Sequence, residues 1–242
     1  MKHFTIFALL AVTLLFSSFL FFKKETVIFY SPHADDEVLS MGASIIKEVK
    51  KGNEVYVVLL SQGLASSAIN KVNAKLESEG KQPIGLEVFG EARIEEFKHS
   101  VTSMGVPENH IIIKDLPDGE FTSELVKEVI QEMEKKYIGA KHHVMSDQDP
   151  HADHASTGIA LRELTSEGIT ERGYYHIPIQ EFENISYSKK VKMRFGSKKT
   201  YQQALNAYGI WKPEEGKYSI GLISVTDYFS SATSYMESRW HR

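Results

Sequence analysis

The sequence predicts an α/β protein: a mostly parallel sheet with helices on both faces. Two observations carry that reading. Short apolar runs alternate with longer stretches of helical character, in the order βαβαβαβαβ, and this alternation builds parallel βαβ units. In addition, clusters of histidine and aspartate stand twice where an apolar run gives way to a helix. In open α/β sheets that edge is where ligands bind.

The elements follow in order. Thr26-Val27-Ile28-Phe29 reads as a buried strand, and a helix runs on from Val38 to Lys51, where Gly52-Asn53 breaks it. Glu54 to Leu60 is apolar enough for the middle of a parallel sheet. Residues Leu64 to Leu86 are polar and lack a clear apolar period, so they read as a partly helical insertion on the side of the ligand edge. Glu87 to Gly105 is a helix with Phe89, Ile94, Phe97 and Val101 as its apolar surface. Asn109 to Lys114 is a short strand, and Leu116-Pro117-Asp118-Gly119 is a turn in which Asp118 shapes the backbone. Thr122 opens a helix patterned by Val126, Val129, Ile130 and Met133. Lys141 to Ser146 is a strand, Ala155 to Glu167 a helix, and Gly173 to Ile177 a strand. Beyond them lie a basic stretch from Lys189 to Lys199, read as a solvated face with an anionic membrane or polymer as the rival, a helical run from Thr200 to Tyr208, and an apolar, β-rich run from Tyr218 to Phe229.

The first cluster is His33-Ala34-Asp35-Asp36-Glu37. Capping offers a bland account of it, because Asp35 or Asp36 would accept the orphan N–H groups of the helix that follows. The second cluster, Asp147-Gln148-Asp149-Pro150-His151-Ala152-Asp153-His154, weakens that account, since capping does not call for histidines at two strand ends of one sheet. Spacing alone leaves open which residues would be metal ligands and which would carry protons, with Asp35 and Glu37 both available as proton carriers.

These two clusters resemble the His-Pro-Asp-Asp-Glu and His-Pro-Asp-His motifs of the PIG-L family of metal-dependent deacetylases. The resemblance runs from about Thr26 to about His176; Ala34 and Ala152 stand where proline is usual. It implies a Rossmann-like fold and a divalent ion, zinc by default, held by His33, Asp36 and His154. It implies Asp35 as general base and His151, partnered by Asp153, as the group that stabilises the oxyanion. Arg93, in Arg93-Ile94-Glu95-Glu96, matches an Arg-x-x-Glu helix that borders the family's active site and is a candidate for substrate contact. The expected reaction is removal of the N-acetyl group from an N-acetylglucosamine-containing substrate. A metal hydrolase of another amide or ester, and a membrane-anchored, non-catalytic glycan-binding protein, are the alternatives.

The whole chain sets limits. Its 242 residues suit one catalytic domain over residues 26–242, and a net charge of −4 argues against a dedicated nucleic-acid binder. There is no cysteine, so thiolate ligands, disulfides and cysteine nucleophiles are excluded. No Gly-x-Gly-x-x-Gly or Walker loop supports a nucleotide site. Residues 1–25 form a targeting segment: Phe4 to Phe22 carry no charge, and as a helix would span about 28 Å, close to a bilayer core. No small-x-small site precedes Lys23, so an uncleaved membrane anchor is expected, with a cleaved signal peptide as the alternative. Lys2 on one side and Lys23 and Lys24 on the other leave its orientation open.

Overall fold

Strand β1 (Thr26–Ser31) is buried at every position after Thr26, as a central parallel strand must be. In the computed structural model, which describes residues Lys24–Arg242, β1 lies between β2 (Glu54–Leu59) and β4 (Lys141–Met145) and runs parallel to both. Val27 faces Val55 on one side, and Phe29 faces His143 on the other. Strands β3 (Ile111–Ile113) and β5 (Gly173–His176) extend the parallel sheet outward. Two strands of the tail complete it: β9 (Glu237–His241) is antiparallel to β5, and β6 (Lys189–Lys192) is antiparallel to β9. The order is β3-β2-β1-β4-β5-β9-β6.

Successive side chains of a strand point to opposite faces, and the two cores divide accordingly. Val27, Phe29, Val55, Val57 and Leu59 pack on one face against α1 (Asp36–Leu39), α2 (Gly42–Lys50), α4 (Leu86–Ser103), α7 (Phe195–Ala207) and α9 (Thr226–Tyr235). Ile28, Tyr30, Tyr56, Val58 and Leu60 pack on the other against α5 (Ser123–Lys136) and α6 (Ala152–Ser166). Thr122 caps α5 as its position suggests, its side chain accepting the N–H of Leu125 at 3.3 Å. A third cluster forms where α3 (Ala68–Ser78), inside the polar insertion, packs Val72 and Leu76 against Phe89, Tyr218 and Ile220.

The tail departs from the sequence reading. The run Tyr218 to Phe229 is helical beyond Tyr218, forming α8 (Ile220–Ser224) and the start of α9. The Glu96 carboxylate accepts the N–H groups of Ile220 and Gly221 at 2.6 and 3.0 Å, so an acid from another helix caps α8, while the hydroxyl of Ser219 at the N-cap position donates to Tyr208 O instead. The basic stretch is neither one loop nor one helix face: it spans edge strand β6 and the first turns of α7. Two further short strands, β7 (Trp211–Lys212) and β8 (Lys217–Tyr218), pair only with each other. The expected anchor at residues 4–22 lies outside the described residues; among the described residues no helix is long and apolar enough to cross a membrane.

Helix α6 meets the loop after β4 at Gly158. A Cβ there would stand 2.7 Å from Asp147 Cα and 2.8 Å from Met145 O, both backbone atoms that cannot rotate away. Gly158→Ala therefore costs about 1–3 kcal/mol through overpacking, despite alanine's better helix propensity, and thermal unfolding of the variant measures that loss.

Candidate active site

The site forms where β1 and β4 end side by side. The loop after β1 carries His33 and Asp35, and Asp36 opens α1; the loop after β4 and the first turn of α6 carry His151, Asp153 and His154. All six line one pocket of about 430 Å3, together with Arg93 from α4 and Asp118 from the turn after β3.

Three donor atoms converge within it. His154 Nε2 is 3.1 Å from Asp36 Oδ2, His33 Nδ1 is 3.5 Å from the same oxygen, and the two ring nitrogens are 3.3 Å apart. A tetrahedral ion with bonds of about 2.0–2.1 Å places its ligand atoms about 3.4 Å from one another, so this triangle fits a zinc-sized cation.

The far side of each ring points the same way. His154 Nδ1 meets Asp149 Oδ2 at 2.7 Å, and His33 Nε2 meets Asp118 Oδ1 at 3.0 Å and Asp153 Oδ2 at 3.1 Å. With a cation in the triangle both rings would be neutral, the N–H of His154 facing Asp149 and that of His33 shared between Asp118 and Asp153. Nδ1 of His33 and Nε2 of His154 would then turn their lone pairs to the ion; metal-binding histidines are oriented in this manner. Burial opposes charge on both rings, yet the facing carboxylates outweigh it. Asp118, Asp153 and Asp36 raise His33 well above the usual histidine value, and Asp36 and Asp149 raise His154 to about 9. Burial likewise opposes the Asp36 carboxylate, but His154 and His33 hold its pKa below the usual range.

Asp35 does not cap the helix with its side chain. Its backbone stands at φ 116°, a conformation that costs a non-glycine residue energy and persists only where neighbours impose it. Glu37 imposes it: Oε2 accepts the Asp35 N–H at 3.0 Å, while Oε1 accepts Ser100 Oγ at 2.7 Å and Tyr208 Oη at 2.8 Å. Glu37 is wholly buried beneath the pocket, so it acts as a brace and has no access to trade protons with a ligand. Burial, and then the adjacent Asp36, push the Asp35 carboxyl up. Arg93, also buried, donates from Nη2 to Ala34 O at 3.2 Å, and its Nε has no partner.

Asp153 departs from the expected pairing with His151. Its Oδ2 accepts from Gly119 N at 2.8 Å and faces His33, while Oδ1 accepts from Phe121 N at 3.1 Å. Its place in the first turn of α6 aims it at the turn after β3, whereas His151 sits one step outside the helix. Burial, and then the neighbouring rings of His154 and His33, hold His151 below the usual histidine value. Asp118 and Asp149 are members of the site that sequence reasoning left unassigned. Asp118 read as a turn former, and it does accept Ala65 N at 2.6 Å. Asp149 stood within the quoted second cluster, and its place beside Pro150, five residues before His154, was the available signal.

The far wall of the pocket comes from the chain's second half, with Ile179, Gln180, Ser224, Val225 and Tyr228.

The GlcNAc-PI de-N-acetylase (PIG-L) family model matches residues 28–165, and the chain belongs to that family. No curated protein sequence matches it. Among solved structures it is similar to a triple mutant of a deacetylase of the teicoplanin biosynthetic pathway, with 16% identity, coverage of 90% of this chain and 97% of that one, and a TM-score of 0.67. It is similar to the N,N'-diacetylchitobiose deacetylase of Pyrococcus horikoshii, at 16% identity, 91% and 84% coverage and a TM-score of 0.60. It is also similar to a 4-carboxy-2-hydroxymuconate hydratase of Pseudomonas putida, at 16% identity, 89% and 95% coverage and a TM-score of 0.61. At these identities the likeness is one of fold.

Removing the brace tests its role. Glu37→Ala leaves two buried hydroxyls and the Asp35 N–H unpaired and is expected to cost roughly 3 kcal/mol. Glu37→Gln costs much less, because both hydroxyls rotate to accept from its amide. Denaturant titration of the two variants measures the difference.

Proposed function

We propose that the chain is a metal-dependent N-deacetylase that removes the acetyl group from an N-acetylglucosamine-containing substrate, with zinc as the default ion. The convergence of His33 Nδ1, Asp36 Oδ2 and His154 Nε2 beside Asp35 carries this reading. Family membership supports it, as do the deacetylase activities named for two of the similar structures.

His33, Asp36 and His154 would hold the ion. When bound, it supplies a Lewis acid that lowers the pKa of water from about 15.7 toward 7. Asp35 takes the proton from the attacking water as its oxygen adds to the acetyl carbon, then delivers one to the departing nitrogen as the C–N bond breaks. Acetate and a free amine leave. The brace from Glu37 fixes the base against this path. His151 lies across the pocket, its ring 5.2 Å from that of His33 and 4.5 Å from that of His154. It donates a ring N–H to the developing oxyanion, and a neutral imidazole suffices for that. Arg93 orients the loop through Ala34 O and faces the pocket, where it meets polar groups of the sugar.

The hydratase among the similar structures shows that this fold hosts more than one reaction, so the assay must read acetate as well as amine. N-acetylglucosamine, its β-1,4 oligomers and lipid-linked forms are the first substrates to test. Asp35→Asn is expected to keep the metal and lose at least about 100-fold in turnover. His154→Ala is expected to lose the metal, read by elemental analysis of the purified protein. Full turnover in Asp35→Asn removes the base from this mechanism; acetate-free turnover removes the deacetylase reading.

A further inference from the structure

Away from the active site, the strongest feature of the surface is its positive charge. The C-terminal half of α2 presents Lys47 and Lys50, Lys51 follows it, β6 adds Lys190 and Lys192, and Arg194 stands in the turn into α7; all six line one cleft of about 450 Å3. Lys50 Nζ donates to Gly196 O at 2.8 Å and Ser197 Oγ at 2.7 Å, which ties the end of α2 to the start of α7 and holds the cleft together. Lys198 and Lys199 carry the charge on along exposed positions of α7.

Few acids answer it. Lys51 pairs with Glu48 at 2.6 Å. Lys190 lies 3.9 Å from Glu237, which Arg239 already holds at 2.8 Å. Among the described residues, Lys47, Lys192, Arg194, Lys198 and Lys199 form no ion pair within 4.0 Å. Phe195, the first residue of α7 and the neighbour of Arg194 in sequence, is 93% exposed.

A second observation concerns where the chain enters the domain. Glu25 N donates to Asn53 Oδ1 at 3.2 Å, and Asn53 follows Lys51 by two residues. Glu25 therefore stands near the cleft, at the end of β1 opposite the active site, and in sequence only Lys23 and Lys24 separate it from the uncharged run 4–22. An exposed ring among unpaired cations suits one environment in particular: the interface of a bilayer. There the ring enters the headgroup layer and the cations meet anionic headgroups.

We propose that the surface made by Lys47, Lys50, Lys190, Lys192, Arg194 and Phe195 docks on the anionic headgroups of a lipid bilayer. Docking there leaves the active site at the opposite end of the parallel strands from the bilayer. The assignment is independent of the reaction at the metal centre.

Hydrogen exchange of the full chain tests it, with vesicles of phosphatidylcholine alone and of phosphatidylcholine mixed with phosphatidylglycerol. Exchange at residues 47–51 and 189–199 is expected to slow about fivefold or more with the anionic vesicles only, the change that about 1 kcal/mol per engaged basic residue gives. The slowing is expected to vanish in Lys190→Glu/Lys192→Glu and to weaken in Phe195→Ser, with thermal unfolding confirming that each variant is folded. Equal exchange with the two vesicle types overturns the proposal, and the wild-type chain alone decides that point. Slowing by soluble polyphosphate but not by anionic vesicles also overturns it, and assigns the surface to an anionic polymer.

Discussion

The parallel pairing of β1 with β4 is the constraint on which the site depends. Two loops more than a hundred residues apart in sequence meet only because Ile28 stands opposite His142 and Phe29 opposite His143. The strand period fixes the rest. A slip of one residue in β1 would exchange the faces of Val27 and Ile28, empty both cores, and carry His33 and Asp36 away from His154. The buried faces of the sheet thus set the distances of the donor triangle, and packing energy is converted into site geometry.

The same economy appears in the polar groups around the triangle. Unpaired buried carboxylates and imidazoles are costly, and nearly all of them here have partners. Asp149 and the pair Asp118 and Asp153 face the outer nitrogens of His154 and His33, which turns the inner nitrogen of each ring to the triangle. Asp153 also accepts from the backbone of Gly119 and Phe121, so the turn after β3 and the helix after β4 position one another. Glu37 performs a comparable task from below, joining α4 and the end of α7 to the strained Asp35 backbone through Ser100 and Tyr208, the residue that follows α7. The site is consequently coupled to the helices on one face of the sheet, one of which, α4, also supplies Arg93 to the pocket.

Much of this architecture is written locally. The apolar runs of β1, β2 and β4, the Thr122 cap and the helical pattern of α5 follow from periodicity and turn chemistry, and the paired clusters around His33 and His154 mark the ends of two strands. Those features determine an α/β sheet and the residue types of a site able to hold a metal, because buried parallel strands and histidine–aspartate clusters leave a readable pattern along the chain. Tertiary structure alone decided which nitrogen of each ring faces the triangle, that Asp153 meets His33 instead of His151, and that Glu37 is a brace. Those outcomes depend on which atoms meet across the fold. It also decided that residues 220–224 are helical, since the acid that caps them stands on α4, and that lysines scattered from Lys47 to Arg194 form one cleft. Sequence records what each residue offers chemically; folding determines which offers are placed within hydrogen-bonding distance of one another.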